Sequence, residues 1–318
     1  MNTLLPILQK KVMTAVVTAA ALVSGCGAGD SSSLDLSGGR GGVVNGMLSL
    51  KITDAPVDGA RAVWVRFSGV TLKPKDMDPF QVVFDAPRDI NLLALQGDLT
   101  DDLFVDVVVP AGEYNWVRLD VETAGVLDTY IVFDDGTVDG DRRELTIPSG
   151  AETGLKLSNG LTVLANGNSN KVIDFDLRKS VVAANPTDYY LKPVLRMADQ
   201  SSGTLSGVIA SSLLTDPAMC SDADPNTGNV VYVFEGANVV PDDIDGRASE
   251  PLTSGNVVFN AGSGEYEYKI GFLPYGDYTV AFSCNADLDQ PESDDPVMFF
   301  PSSNITVSAG NNIVDVVR

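Results

Sequence analysis

Carboxylates are the main chemical resource of this sequence. Its 318 residues carry 43 Asp and Glu, 21 Lys and Arg and no histidine, for a formal charge of −22. Lacking histidine, the chain has neither the commonest general base nor the commonest zinc or copper ligand. A metal here would be a hard cation held by carboxylates and carbonyls, Ca²⁺ before Mg²⁺. A chain this acidic also repels phosphate backbones, so no nucleic-acid partner is expected.

Two acidic stretches have the alternation that converges oxygens on one ion. Asp222-Ala-Asp224-Pro-Asn226-Thr-Gly228 is the first. Counted from Asp222, Gly falls seventh and Val233 twelfth, where an EF-hand loop needs Gly sixth and an acid twelfth. The second runs through Asp287, Asp289, Glu292, Asp294 and Asp295, just after Cys284. A Cys220–Cys284 bridge would bring the stretches together as one Ca²⁺ site; solvated loops that oppose aggregation are the plainer alternative. Asp134, Asp135, Asp139 and Asp141 read as a hairpin turn, and Asp54, before Pro56, as a residue capping its own turn. Paired carboxylates of the glycosidase kind need a cleft, and no spacing singles out a pair. No Gly-x-Ser-x-Gly, P-loop or dinucleotide fingerprint occurs. The chain is therefore read as a non-enzyme with no cofactor beyond that possible Ca²⁺. Trp64, Trp116, Tyr189 and Tyr190 would make a sugar-stacking platform if they faced solvent, although core packing is the commoner fate of such rings. Trp64, out of phase with Val63, Val65 and Phe67, is expected on the opposite face of its strand.

Residues 1–25 read as an export signal: Lys10 and Lys11 precede the apolar run Val12–Val23. As a helix that run reaches about 18 Å, short of the roughly 30 Å hydrocarbon core. Val23-Ser24-Gly25-Cys26 resembles the bacterial lipobox, which implies cleavage before Cys26 and acylation of that cysteine. Two or three acyl chains would hold a folded body on a membrane without a spanning helix. Gly27, where an Asp would resemble a retention signal for the inner membrane, points to the outer membrane, on its periplasmic face or the cell surface. Residues 26–45 form the lipidated Cys and a Gly/Ser-rich tether. Export leaves Cys220 and Cys284 in an oxidising compartment, where an even pair forms a structural disulfide. Cys284 is also in phase with Tyr278, Val280 and Phe282, on the face expected to be buried.

The remaining chain must position these groups on strands. Leu48–Thr53, Val63–Phe67, Val117–Glu122, Val172–Leu177, Tyr266–Ile270 and Tyr278–Phe282 alternate apolar with polar residues or concentrate β-branched and aromatic ones. Turn clusters such as Asp139-Gly140 and Asp245-Gly246 separate them. The expected fold is all-β, with two antiparallel β-sandwich domains over 46–199 and 203–318. Tyr189–Met197 is expected to close the first and Thr204–Ile209 to open the second. Pro110-Ala-Gly-Glu-Tyr114 and Pro274-Tyr-Gly-Asp-Tyr278 repeat a turn whose tyrosine anchors the following strand.

Gly46–Pro56, Val63–Leu72, Asn91–Leu95, Pro110–Tyr114, Asp174–Leu177 and Tyr190–Arg196, in that order, resemble an uncharacterised family of bacterial exported lipoproteins, domain of unknown function 4382. The resemblance covers about 46–199 and implies no catalytic residue or ligand. Leu273-Pro-Tyr-Gly-Asp-Tyr-Thr-Val280 is similar to the carboxypeptidase-regulatory-like, transthyretin-type sandwiches, which implies a non-catalytic stability or adhesion unit. Together these readings predict a lipid-anchored binding, adhesion or scaffolding module for an envelope protein or glycan. The alternatives are a Ca²⁺-dependent carbohydrate-binding or carbohydrate-processing accessory and a purely structural lipoprotein.

Overall fold

Alternation of apolar and polar residues needs two surfaces to bury against, and the chain meets this need twice. A computed structural model describes residues 43–148, 154–220, 223–247 and 249–316. The export segment 1–25, Cys26, the tether as far as Gly42, and Asp222 lie outside the described residues. No helix among the described residues is long and apolar enough to cross a membrane.

The first half contributes β1 (Asn45–Ala55), β2 (Ala60–Pro74), β3 (Phe80–Asn91), β4 (Asp101–Pro110), β5 (Gly112–Val121), β6 (Thr129–Phe133), β7 (Asp141–Thr146), β8 (Leu155–Val163), β9 (Asn168–Asp176), β10 (Val181–Ala183), β11 (Tyr189–Leu191) and β12 (Leu195–Asp199). They form a four-stranded sheet in the order β12-β9-β1-β4. Facing it is an eight-stranded sheet in the order β10-β11-β7-β6-β2-β5-β8, with β3 also on β2. Leu48, Leu50 and Ile52 from one sheet meet Val63, Val65, Phe67 and Leu119 from the other, all fully buried. The expected closing strand Tyr189–Met197 is two strands instead: β11 joins the larger sheet and β12 the smaller. Pro193 lies between them, where a residue without an N–H cannot continue a ladder.

The second half contributes β13 (Gly203–Ile209), β14 (Val230–Glu235), β15 (Thr253–Asn256), β16 (Val258–Asn260), β17 (Glu265–Leu273), β18 (Gly276–Ser283), β19 (Ser303–Val307) and β20 (Asn311–Ile313). These build two four-stranded sheets, β16-β17-β13-β20 and β15-β14-β18-β19. Cys220 and Cys284 are disulfide-bonded, with Cα atoms 5.3 Å apart, and Cys284 is buried beside Tyr278, Val280 and Phe282. The unbroken apolar run of β14 is buried on both faces. Val231 and Val233 enter the inter-sheet core, while Tyr232 and Phe234 pack with Ile244 and Phe299 on the outside of the sheet.

Most pairings are antiparallel, as expected. β1/β9, β7/β11 and β13/β20 are parallel, and each joins strands far apart in sequence, which alternation alone does not reveal.

Candidate functional site

The two sandwiches meet along a polar seam. Its centre is Arg178, in a one-turn helix, Leu177–Ser180, that follows β9. The Asp176 carboxylate caps this turn by accepting from the Lys179 N–H at 3.1 Å. The turn carries Arg178 into the second sandwich, where its side chain is 2% exposed. Its guanidinium donates to Asp58 at 2.6 Å, to the Asn256 side chain and the Ala286 carbonyl at 3.2 Å, and to Ser254 at 3.3 Å. It also lies 5.8 Å from the Tyr232 ring centroid. Burial alone would lower the guanidinium pKa, but Asp58, Tyr232 and Asp289 together push it above its ordinary value. A charge held this way satisfies itself only if both domains stay in place.

Around Arg178 the contact is tight. Lys179 reaches the Pro251 carbonyl, and Arg196 bridges Asp174 at 2.5 Å and the Phe272 carbonyl at 2.8 Å. Lys192–Glu292 and Lys269–Asp98 are ion pairs at 2.5 and 2.6 Å. The Gly271 N–H donates to the Gly97 carbonyl at 3.1 Å, and a Cβ at Gly271 would stand 2.5 Å from that oxygen. Glycine is needed for the backbones to approach this closely.

Beside the seam a cleft of about 630 Å³ opens between the domains. Asp58, Arg61 and Asp134 line one wall, and Asn226, Asn229, Asn256 and Asp287 line the other. A smaller adjoining hollow of about 160 Å³ reaches Arg178, Asp289 and Gln290. Gly228, at φ +63°, shapes the rim: a Cβ there would lie 2.6 Å from the Asp287 carboxylate. Asn229 is buried and donates to the carbonyls of Asp224 and Thr227, while its own side-chain oxygen has no hydrogen-bond partner. Among the described residues the lining contains no serine, cysteine, lysine or tyrosine; its polar groups are carboxylates, amides, the Thr227 hydroxyl and the Arg61 guanidinium, which donates to the Thr137 and Val138 carbonyls. Acceptors dominate, which suits a ligand presenting hydroxyl or amine donors.

Of the residues expected to form one Ca²⁺ site, Asp222 lies outside the described residues and the others have these surroundings. Asp224 accepts from the backbone and side chain of Asn226 at 2.9 Å, and Asp287 stands beside Gly228. The short turn Ala286–Leu288 then sends Asp289 inward, where it accepts from the Tyr232 hydroxyl at 2.6 Å and the Ile244 N–H at 3.0 Å. Glu292 pairs with Lys192, and Asp294 with Arg247 at 2.9 Å. Carboxylate oxygens do converge elsewhere. Those of Asp243, Asp289 and Asp295 lie within 4.8 Å of one another, as do those of Asp243, Asp245 and Asp294. Burial raises the Asp289 and Asp243 pKa values, while hydrogen bonds from Tyr232, Ile244 and Asp295 oppose the rise. Asp295 belongs to the second acidic stretch read from the sequence, whereas Asp243 and Asp245 were not legible as partners. Their only sequence signal was the Asp245-Gly246 turn.

The other candidates have local roles. Asp54 remains in β1, buried, and accepts from the distant Leu177 N–H at 3.4 Å. The expectation that it caps its own turn fails because β1 continues through it in parallel pairing with β9. Asp134 and Asp135 accept from the N–H groups of Gly136 and Thr137, Asp139 lies 3.8 Å from Arg142, and Asp141 pairs with Arg143. Trp64 is half-buried opposite Val63 and Val65, as expected. Tyr189 packs on Phe133 at 5.2 Å. Trp116 lies on β5, away from both, so the four rings form no single platform.

Residues 45–193 match the family model described as Domain of unknown function (DUF4382). The match spans the N-terminal sandwich, just under half of the chain. No curated protein matches the chain. Among solved structures, the Bacillus anthracis TIE protein aligns at 12% identity and TM-score 0.18, over 86% of this chain and 34% of its own. A leucine-rich repeat protein from Bacteroides thetaiotaomicron aligns at 14% identity and TM-score 0.19, over 86% and 26%. This chain thus spans about a third and a quarter of their lengths. A putative adhesin from Bacteroides ovatus aligns at 10% identity and TM-score 0.18, over 94% and 98%. At these TM-scores no common architecture is established, and the functional reading rests on this chain's own geometry.

Proposed function

We propose that this protein is a non-catalytic recognition module of the bacterial cell envelope. Cys26 carries the lipid, the residues from there to Val44 are the tether, and the two sandwiches stand off the outer membrane as one body that presents the interdomain cleft to an envelope protein or glycan. One observation carries this reading: the Arg178 side chain, 2% exposed and bonded across both domains, fixes the cleft in one shape. Preorganisation of this kind favours recognition over closure around a substrate.

A photo-crosslinking residue in place of Val258, on the cleft wall, tests the reading in intact cells. The expected result is a discrete crosslinked partner that is lost in Arg178→Ala. The absence of any adduct, or release of sugar from a glycan by the purified protein, overturns it. For the anchor, Cys26→Ala is expected to move the protein from the membrane to the soluble fraction and abolish labelling by palmitate.

A second reading, a Ca²⁺-dependent carbohydrate-binding accessory, is favoured by the convergence of Asp243, Asp289 and Asp295. A glycan array run with and without Ca²⁺ separates the two. Binding that requires the ion and disappears in Asp243→Asn supports the second.

A further inference from the structure

We propose that the outward face of the eight-stranded sheet around Trp116 binds an anionic glycan, one that carries uronate groups. The proposal deepens the reading of the protein as a recognition module and rests on it. β2, β5 and β8 lie side by side here. Val70, Leu72, Val117, Leu119 and Leu155 point into the core, so alternation turns the residues between them outward. Two cross-strand rows result, Lys73–Trp116–Ser158 and Thr71–Arg118–Lys156.

The rows place three cations around one indole. The Lys156 ammonium lies 4.7 Å from the Trp116 ring centroid, and the Arg118 guanidinium 6.0 Å. Lys73 is the cross-strand neighbour of Trp116 and is bound to the Met77 carbonyl. Two acids flank the rows among the described residues: Glu113 is exposed and paired with Lys75 at 2.7 Å, and Asp120 is buried and already committed. It holds Arg118 at 2.7 Å and accepts from Thr71 at 2.7 Å and Gln81 at 2.9 Å. Asp120 therefore orients Arg118 instead of repelling a ligand. In a chain with twice as many acids as bases, a rigid patch with this charge is complementary to an anion.

The indole decides the class of anion. Lys156 and Arg118 lie over the half-buried indole, and when the exposed Lys156 turns from it to a carboxylate the ring offers a flat apolar surface for the C–H face of a sugar. The lysines and Arg118 then meet its carboxylates. An extended acidic peptide would satisfy the cations but leave the ring without a matching surface. The same face continues to Trp64 and Tyr130, paired across β2 and β6, with Arg142 5.7 Å from the Tyr130 ring centroid.

Biolayer interferometry of the detergent-solubilised full chain on immobilised polygalacturonate tests the proposal, with dextran and polyglutamate as comparators. The expected result is salt-sensitive binding to polygalacturonate alone, weakened about tenfold or more by Trp116→Ala and by the charge reversal Lys156→Glu. Lys156 is exposed, so its variant remains informative if removing the indole disturbs the sheet. No binding to polygalacturonate, equal binding to polyglutamate, or unchanged binding in both variants overturns the proposal. Crosslinking through Val258 in Lys156→Glu cells separates the two claims. A partner still captured there leaves the recognition reading standing while this face fails.

Discussion

The two sandwiches turn the same corner and stabilise themselves differently. Tyr114 donates its hydroxyl to the Pro110 carbonyl at 2.6 Å, and Tyr278 to the Pro274 carbonyl at 2.8 Å. Each ring is buried at the start of its strand, in the manner of the tyrosine corner of other β-sandwiches. Beyond that corner the solutions part. The N-terminal sandwich closes a large core between a four-stranded and an eight-stranded sheet, without a disulfide. The C-terminal one has two sheets of four strands, a smaller inter-sheet core, the Cys220–Cys284 bridge and an extra layer over Tyr232 and Phe234. A small β domain with less apolar surface to bury gains most from constraining its unfolded chain.

The largest expected effect follows from that difference. Replacing Cys220 and Cys284 by serine opens a loop of about 65 residues and costs roughly 4 kcal/mol in the chain-entropy model. Differential scanning calorimetry should show a C-terminal transition that falls while the N-terminal one keeps its temperature. An equal fall in both would mean that the seam makes them one cooperative unit, and the comparison would have to be redrawn.

Arg178→Ala comes next, at about 3 kcal/mol, because it strands Asp58 and several buried acceptors. Its expected signature is uncoupling: the two transitions move further apart, and proteolysis near Gln200–Gly203, between the domains, becomes faster. A smaller effect tests the shared corner. Tyr114→Phe and Tyr278→Phe should each cost about 1 kcal/mol, one hydrogen bond's worth, in their own domain's transition. A marked inequality would mean that the two corners do different structural work.

The sequence made the elements legible and the contacts between them much less so. Alternation located β1, β2, β5, β9, β17 and β18, and the phase of Cys284 with Phe282 placed the disulfide on a buried face. Arg178 left no trace, because nothing in Leu177-Arg-Lys-Ser180 distinguishes an exposed arginine from one drawn into a neighbouring domain. Asp289 was legible as an acid but not as the partner of Asp243 and Tyr232. Those contacts span 46 and 57 positions, and only tertiary packing joins them. Asp54 misled for a related reason. Local chemistry before a proline favours a turn, whereas parallel pairing with β9 keeps the residue in its strand.

The smallest effect concerns acids buried in both domains, and its sign can be fixed in advance. Burial, then Asp174 and Asp176, hold the Asp54 carboxyl well above its ordinary range, against the pull of the Leu177 N–H and Arg178. Burial likewise raises Asp176 in the same sandwich and Asp243 and Asp289 in the other. For each, the folded state binds a proton at a pH where the unfolded chain has released it. These groups therefore penalise folding at neutral pH, and the penalty fades as pH falls through their raised values toward the ordinary carboxylate range. Glu113, Asp135 and Glu267 shift the opposite way, held down by Lys75, Thr137 and Asn260 respectively. These three are exposed and screened, so their contribution is minor. Both transitions should accordingly rise on going from about pH 8 to about pH 5.5, read as melting temperature at constant ionic strength. Asp54→Asn keeps the acceptor for Leu177 and removes the charge. It should raise the N-terminal transition at pH 8 and flatten its pH slope, leaving the C-terminal slope intact. A slope that survives in this variant would assign the N-terminal pH response to Asp176 instead.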